Sequence, residues 1–266
     1  MQSHIMRNGT PQIASLKRSL AFLEGVIADA GATPISALAR SLGTPPSTAH
    51  RQVVSLVAAG YLAPAAGGRY VAGPRLLGML HLLDEKQIIA NIAAPILHRL
   101  AVQTRAIVQL GTLENDMVTY RIKTGRGSGD LFTKVGMQLE AYCSGIGKVL
   151  LAGLPRGDRD RYLAEGPFVP LTPRTITDPA QLDRELSRVR DAGYAVDNEE
   201  IVEGLRCIAV PVRRPDATVP AAISISRAGA APSAMSEGDM IELLRRAAAE
   251  ITETAFNGRA AVAFVS

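Results

Sequence analysis

Two short amphipathic segments joined by a tight turn limit most strongly what this chain can fold into. The first segment begins at Pro34 and ends at Gly43. In the second, Thr44 followed by Pro45 predicts an N-cap with proline at the first helical position, and Gly60 predicts the end of the helix. Two short helices around a glycine-containing turn are the parts of a helix-turn-helix.

The residues on both sides complete a small domain. Apolar residues recur at helical spacing from Leu16 to Ile27, which predicts a helix ahead of the pair. After the pair, two strand-like stretches flank Gly67 and Gly68 and predict a two-stranded wing, with Arg69 near its tip. The alternative is an unrelated small helical domain that ends in a hairpin.

The second helix of the pair has an outward face that differs from a typical solvated face. With Ala49 at the centre of the apolar stripe, the opposite side carries hydroxyls, an amide and a guanidinium but no acid, at roughly 100° per residue. Such groups donate to phosphates and read base edges. We therefore expect DNA contacts from Thr44, Ser47, Thr48, His50, Arg51, Gln52 and Arg69, with His50 at the edge of the helix.

The charge distribution agrees with a nucleic-acid partner. The formal net charge is +4, from 29 basic and 25 acidic residues. Residues 1–78 hold seven basic and two acidic residues, a surplus of +5, so the remainder of the chain carries −1. The positive charge lies where DNA would need it, although such a surplus can also serve solubility alone.

Other features exclude several classes of protein. No apolar run approaches the roughly 18 residues that span a bilayer, and the N-terminus lacks the apolar core of a signal peptide. Cys143 and Cys207 stand far apart and outside any CxxC pair, so neither a disulfide framework nor a structural zinc site is indicated. We expect a cytoplasmic protein without membrane attachment, cofactor or bound metal.

The chain beyond residue 90 predicts an α+β domain with an antiparallel sheet, because strand-like stretches, among them residues 131–135, are mixed with flanking helices. Ser144 is a natural N-cap, and the amides of Gly145 and Ile146 at the positive helix end suit a carboxylate. Ser224 and Ser226 are two apart on a strand, so both hydroxyls project from one face.

Motifs along nearly the whole chain, from about Ser15 to Thr254, resemble the IclR family of bacterial transcription regulators. They include ISALARSLGTPPSTAHRQVVSLVAAGYL and GGRYVAGPRLLGML early in the chain, and SGIGKVLLAGLP, GLRCIAVPV and AAISIS later. The resemblance implies a winged helix-turn-helix over residues 12–74, a linker helix over 75–90 and a GAF-like effector-binding domain over 91–258. It also implies binding to operator DNA as a homodimer or tetramer. An apolar helical surface suited to dimer contacts, or alternatively to packing on its own domain, is expected from Leu76, Leu77, Leu80, Leu83, Ile88 and Ile89.

The resemblance further implies an effector pocket for a small organic acid. The positions that match the pocket of the family are Gly145, Ile146, Asp197, Cys207, Ser224 and Ser226, and Asp197 is expected in the loop YAVDNEE. We add Ser144 and Tyr142, the latter because Tyr142 and Cys143 stand where the family more often has His and Ala. Each residue alone could instead be a helix cap, a core cysteine or a surface acid.

An enzyme is the main alternative class. Cys143 at a helix start and the GIGK of residues 145–148 suggest a nucleophile or a phosphate loop, but Val149 occupies the position of the required hydroxyl. All four histidines lie within the first 98 residues, so the second domain has no histidine base for a cysteine. We therefore expect no catalytic residue. A pure protein-interaction module would leave the polar helix unexplained.

Overall fold

The computed structural model describes residues 12–125, 127, 131–228 and 235–256. It divides into two compact units, with the boundary between Asp84 and Glu85. Residues 257 and 258, which end the range predicted for the second domain, lie outside the described residues. In the described part of the chain, no helix is long and apolar enough to cross a membrane.

The first unit consists of helices and a two-stranded antiparallel sheet. Its elements are α1 (Ala14–Asp29), α2 (Ile35–Ser41), α3 (Pro46–Ala58), β1 (Leu62–Ala65), β2 (Arg69–Ala72) and α4 (Pro74–Leu80). Phe22 and Val26 of α1 pack against Leu38 of α2 and Val53 of α3 in a small core. The helix-turn-helix and the wing predicted from the sequence are both confirmed.

The predicted cap of α3 is wrong by one residue. The helix begins at Pro46 rather than Pro45, and Pro45 occupies the N-cap position with φ −57° and ψ 140°. The reason is the proline pair: the ring of Pro46 disfavours helical geometry at the residue before it, so Pro45 must stay extended. Thr44 lies before the cap, and its backbone N–H donates to the carbonyl of Ala39 at 2.8 Å.

The range predicted for the linker, 75–90, is not one helix. Helix α4 ends at Leu80, and helix α5 runs from Glu85 to Thr104, across the predicted boundary at residue 91. The residues between them are not helical. The sequence contains a signal for the start of α5. Glu85 places an acid in its first turn, where the helix dipole stabilises negative charge.

The second unit is a six-stranded antiparallel sheet with helices on both faces. The sheet order is β5-β4-β3-β8-β7-β6. The strands are β3 (Ile107–Glu114), β4 (Met117–Thr124), β5 (Gln138–Glu140), β6 (Ala195–Asn198), β7 (Leu205–Val212) and β8 (Ala221–Ala228). The helices besides α5 are α6 (Gly145–Ala152), α7 (Arg156–Leu163), α8 (Pro179–Ala192) and α9 (Glu237–Phe256). The predicted α+β class is confirmed, whereas residues 131–135 do not form the expected strand.

Each face of the sheet has its own core. One core contains the buried side chains of α6, α7 and α8, and the other contains those of α5 and α9. Strand β8 separates the two, because Ile223 and Ile225 belong to the core with α9 while Ser224 and Ser226 point to the opposite face. All eight residues of α6 are buried, which fixes its N-terminus against the sheet.

Candidate functional site

Helix α3 keeps the two faces that its sequence predicts. Ala49 and Val53 are buried in the core of the first unit. The predicted contact residues Ser47, Thr48, His50 and Arg51 are all exposed. Since buried residues fix the rotation of the helix, these four side chains share the outward surface, and no acid lies on α3 to oppose a phosphate.

Gln52 departs from the prediction. Its Nε2 donates to Ser19 Oγ of α1 at 3.2 Å, and its Oε1 is buried without a hydrogen-bond partner among the described residues. Helix geometry explains why Gln52 points toward α1. At roughly 100° per residue it lies about 60° from Ala49 around the helix axis, and thus on the flank of the buried stripe. Its side chain stabilises the contact between two helices.

The other two predicted DNA contacts lie outside the helix. Thr44 is half-buried in the turn before α3, whereas Arg69 is exposed at the first residue of β2. Arg69 pairs with Ala65 across the wing turn. Gly67 and Gly68 have φ of +72° and +68° in this turn, a backbone region that favours glycine. The turn thus places a guanidinium beside the tip of the wing.

A narrow cavity lies in the second unit between the sheet and the N-terminus of α6. The space open to the centre of a water molecule is about 10 Å³, which is room for about one water. Seven of the eight predicted effector residues line it: Ser144, Gly145, Ile146, Asp197, Cys207, Ser224 and Ser226. Among the described residues that line the cavity, no Lys, Arg or His is present.

The N-terminus of α6 faces this cavity. Ser144 caps the helix as predicted, and its Oγ accepts a hydrogen bond from the N–H of Gly147 at 3.0 Å. The first-turn amides of Gly145 and Ile146 have no intrahelical acceptor, so they are available to a ligand. Gly147 is required where it stands, because a Cβ there would lie 2.0 Å from the carbonyl oxygen of Ala141.

Asp197 is the acid of the cavity, and it lies on strand β6 rather than in the loop predicted from the sequence. It is 1% exposed. Its Oδ1 accepts a hydrogen bond from Glu200 N at 2.8 Å, and its Oδ2 is buried without a partner among the described residues. Burial raises the pKa of Asp197 to about 7, helped by the nearby Glu200 carboxylate and opposed by the Glu200 N–H. A donor on a ligand would therefore find a ready acceptor here.

The features that suggested an enzyme have structural roles. Burial raises the pKa of the Cys143 thiol to about 12, so it is not a thiolate near neutral pH. Lys148 of the GIGK segment is 1% exposed and donates to Glu200 Oε1 at 2.5 Å and to the Val196 carbonyl at 2.6 Å. The described residues contain no cluster of three or more side chains suited to hold a metal ion.

Tyr142 is the predicted effector residue that the structure places elsewhere. Its ring stacks on Phe168 with centroids 4.7 Å apart, and its hydroxyl donates to the carbonyl oxygen of Val169 at 2.8 Å. It is 2% exposed and does not line the cavity. The side chain of Tyr142 therefore packs against the loop after α7, whereas Ser144, two residues later, lines the cavity.

Sequence reasoning missed several cavity residues, chiefly Gln109 of β3. Its Nε2 donates to Thr133 Oγ1 at 2.8 Å, and its Oε1 accepts from Ser226 Oγ at 3.1 Å. A signal was available, because Gln109 is a lone amide within an apolar strand. The remaining unpredicted lining residues are Tyr120, Leu131, Phe132, Thr133, Ile201 and Leu205.

Comparison with known protein families accounts for both units. Residues 15–65 match the IclR helix-turn-helix domain. Residues 81–253 match the C-terminal domain of the bacterial transcriptional regulator IclR. The chain belongs to the IclR family. Membership of this family makes the protein a transcription regulator with a DNA-binding helix-turn-helix and a C-terminal effector-binding domain. It also confirms the expectation that the protein is not an enzyme.

Individual members of the IclR family resemble the chain over most of its length. The DNA-binding transcriptional repressor YiaJ of Escherichia coli is 32% identical over 251 residues, which are 90% of this chain and 86% of YiaJ. The repressor BlcR of Agobacterium tumefaciens has a crystal structure with a TM-score of 0.66 and 27% identity, covering 91% of this chain and 97% of BlcR.

A further solved member of the IclR family holds a ligand. This homologue from Microbacterium hydrocarbonoxydans was crystallised in complex with 4-hydroxybenzoate. It is 28% identical to this chain, with a TM-score of 0.59, and the match covers 92% of this chain and 99% of the homologue.

Proposed function

We propose that the protein is a cytoplasmic regulator in which a small monocarboxylate, bound in the cavity beside α6, controls the affinity of α3 for an operator. The observation that carries the proposal is the N-terminus of α6, whose free amides face a buried cavity that also contains two serines and an unpartnered carboxylate oxygen. The sign of the control, repression or activation, depends on the position of the operator relative to the promoter.

On the DNA side, Ser47, Thr48 and Arg51 enter the major groove in this proposal, with His50 at the groove edge. Their common exposure supports it, as does the absence of acids on α3. Arg69 reaches the neighbouring minor groove or phosphates from the wing, where a guanidinium is favoured. Gln52 is withdrawn from this set, because its amide already bonds to Ser19. Thr44 contributes through the turn before α3.

On the effector side, the groups lining the cavity favour one chemical class. Amides at a helix N-terminus and the hydroxyls of Ser224 and Ser226 suit a carboxylate. Asp197 would repel a second anionic group, but its Oδ2 can accept a hydrogen bond from a hydroxyl. A hydroxylated aliphatic or aromatic monocarboxylate could place its carboxylate at the α6 amides and serines and its hydroxyl at Asp197. The ligand of the Microbacterium homologue, 4-hydroxybenzoate, belongs to this class.

The size of the cavity adds a requirement. A space for about one water cannot hold an organic acid, so its walls must move when the effector binds. Phe132 is 39% exposed and belongs to a lining segment without regular secondary structure, and Lys123 donates to the carbonyl oxygens of Leu131 and Thr133 on either side of it. The polar groups come from strands β3, β6, β7 and β8, which lie between the two cores, and from α6, which is buried in one of them.

A thermal-shift panel of carboxylic acids tests the effector class. We expect a hydroxylated monocarboxylate, with 4-hydroxybenzoate as the first probe, to raise the midpoint of thermal unfolding in a concentration-dependent manner. Above pH 7, where Asp197 is ionised, matched dicarboxylates should fail, because Asp197 repels the second charge. A panel in which dicarboxylates stabilise the protein and monocarboxylates do not would refute the proposal.

Sequencing the DNA fragments that the protein retains from its own genome identifies the operator.

A further inference from the structure

Val54 is a large apolar side chain that α3 leaves in solvent. It is 55% exposed, and the exposed polar residues His50, Arg51 and Ser55 lie near it on the same helix. The remaining apolar side chains of the helix larger than alanine, Val53, Leu56 and Val57, pack on or within the core of the first unit. The exposure of Val54 therefore serves no contact inside the unit.

The position of Val54 on α3 places it with the DNA-reading residues. Ser47, His50, Arg51 and Val54 follow the spacing i, i+3, i+4 and i+7, which aligns side chains along one side of a helix. The homeodomain helix that lies in the major groove reads bases with residues at this same spacing. Because Ala49 and Val53 are buried, α3 cannot turn Arg51 toward DNA without turning Val54 toward it as well.

The chemistry of the groove leaves one suitable partner for this side chain. The base edges in the major groove present hydrogen-bond donors and acceptors and a single apolar group, the C5-methyl of thymine. Valine offers neither donor nor acceptor, so it would leave the amino group of cytosine without a partner. Its branched side chain also has one strongly preferred rotamer in a helix, which holds both methyl groups in a fixed direction.

We propose that Val54 contacts the C5-methyl group of a thymine and selects thymine over cytosine at one position of each half-site. This assignment rests on the proposed placement of α3 in the major groove. It adds an apolar contact to a surface otherwise made of hydroxyls and a guanidinium.

Replacement of thymine by deoxyuridine tests the contact, because uracil pairs with adenine identically but lacks the methyl group. Operators are first selected by the full-length protein from a random duplex library. Each thymine of the half-site is then replaced singly, and dissociation constants are measured by fluorescence anisotropy for the wild type and for Val54→Ala. The site is exposed and alanine favours helix, so the variant should fold, which its thermal unfolding midpoint checks.

We expect one deoxyuridine substitution per half-site to weaken binding by the wild type about fourfold, the value of one buried methyl or methylene group. Val54→Ala should bind the thymine and deoxyuridine duplexes equally. The matched control Ser55→Ala, whose lost hydroxyl donates only to the backbone carbonyl of Arg51 in α3, should keep the full fourfold loss.

Two results would overturn the inference: no deoxyuridine substitution weakens the wild type, or the same substitution weakens Val54→Ala equally. A selected operator without a shared thymine in the α3 footprint would also overturn it. Failure of the protein to select any sequence would instead count against the proposed placement of α3 in the groove, so the two failures are distinguishable.

Discussion

At the scale of single residues, Arg51 and Gln52 are neighbours on α3 with different surroundings. Arg51 is exposed, while Gln52 donates to Ser19 of α1. We expect Arg51→Ala to weaken specific operator binding by roughly 1–3 kcal/mol, the value of a base-reading guanidinium. Gln52→Ala is the matched control and should leave specific binding unchanged. Gel shifts at several salt concentrations measure both, and Arg51→Ala and wild-type curves that coincide at every salt concentration would contradict the assignment.

Asp197 makes the stability of the second unit depend on pH. Its pKa lies near 7 in the folded protein, above its ordinary value of 3.8, because burial disfavours the carboxylate. Between pH 3.8 and about pH 7, Asp197 keeps its proton in the folded protein but has lost it in the unfolded chain. Stability therefore falls as the pH rises through this window, and the loss is complete above pH 7. The shift corresponds to at most about 4 kcal/mol.

Asp197→Asn should remove this pH dependence. The amide oxygen can still accept from Glu200 N, which keeps the hydrogen bond of Oδ1, and no buried charge forms. We expect the free energy of unfolding of the variant, relative to the wild type, to increase from pH 5 to pH 8. Urea unfolding at four or five pH values provides the measurement. A difference that stays constant over this range would show that Asp197 does not titrate within it.

At the scale of an element, one face of β8 lines the cavity and the other packs in a core. Ser224 and Ser226 line the cavity, while Ile225 is 1% exposed in the core with α5 and α9. For an acid that stabilises the wild type, we expect Ser224→Ala combined with Ser226→Ala to weaken binding by roughly 0.5–1.5 kcal/mol per lost hydrogen bond. DNA binding without the acid should persist, because α3 lies in the other unit.

The control for this prediction lies on the same strand. Ile225→Val removes one methylene from the opposite face and should cost about 0.5–1.5 kcal/mol of stability without changing the affinity for the acid. Calorimetric titration of both variants measures the affinities, and thermal unfolding measures the stabilities. If the serine double variant binds the acid as the wild type does, the effector site lies elsewhere.

At the scale of the whole molecule, exposed leucines indicate self-association. Leu77 and Leu80 of α4 are 63% and 65% exposed, and Leu16 and Leu20 of α1 are 54% and 50% exposed. Within each helix the two leucines are three or four residues apart and share a face, and exposed apolar faces mark protein interfaces. Ile89 of the surface predicted from the sequence is instead buried in the second unit. A two-fold dimer would also match an operator with inverted half-sites.

We expect the wild type to be a dimer or tetramer in solution and Leu77→Ser combined with Leu80→Ser to shift it toward monomers. Operator affinity should fall with it, because a single helix-turn-helix has few base contacts. Light scattering coupled to size-exclusion chromatography reports the mass. Val169→Ser, at a 66% exposed position of the second unit, is the control and should change neither quantity. A monomeric wild type with full operator affinity would refute the dimer.

Local patterns predicted those parts of the fold that local forces determine. The apolar stripe of α3, the cap of α6 at Ser144 and the alternation of β8 each depend on residues within a few positions, and all appear as expected. Contacts between distant residues account for the errors at Tyr142 and Gln52, whereas the cap of α3 was misplaced because of the adjacent Pro46. Tyr142 turns toward Phe168, and Gln52 turns toward Ser19. No periodicity near Tyr142 indicates its partner, whereas the helical periodicity already places Gln52 on the flank of the buried stripe.

The position of β8 within the sheet has a consequence for how the protein is made. Strand β8 lies between β3 and β7, and its Ser226 pairs with Ile107, 119 residues earlier. The centre of this sheet therefore cannot close until the ribosome has released residues near the end of the chain. The core of the first unit uses residues between Phe22 and Tyr70 and is complete much earlier. During every round of translation, the helix proposed to read the operator is thus folded before the cavity proposed to control it exists.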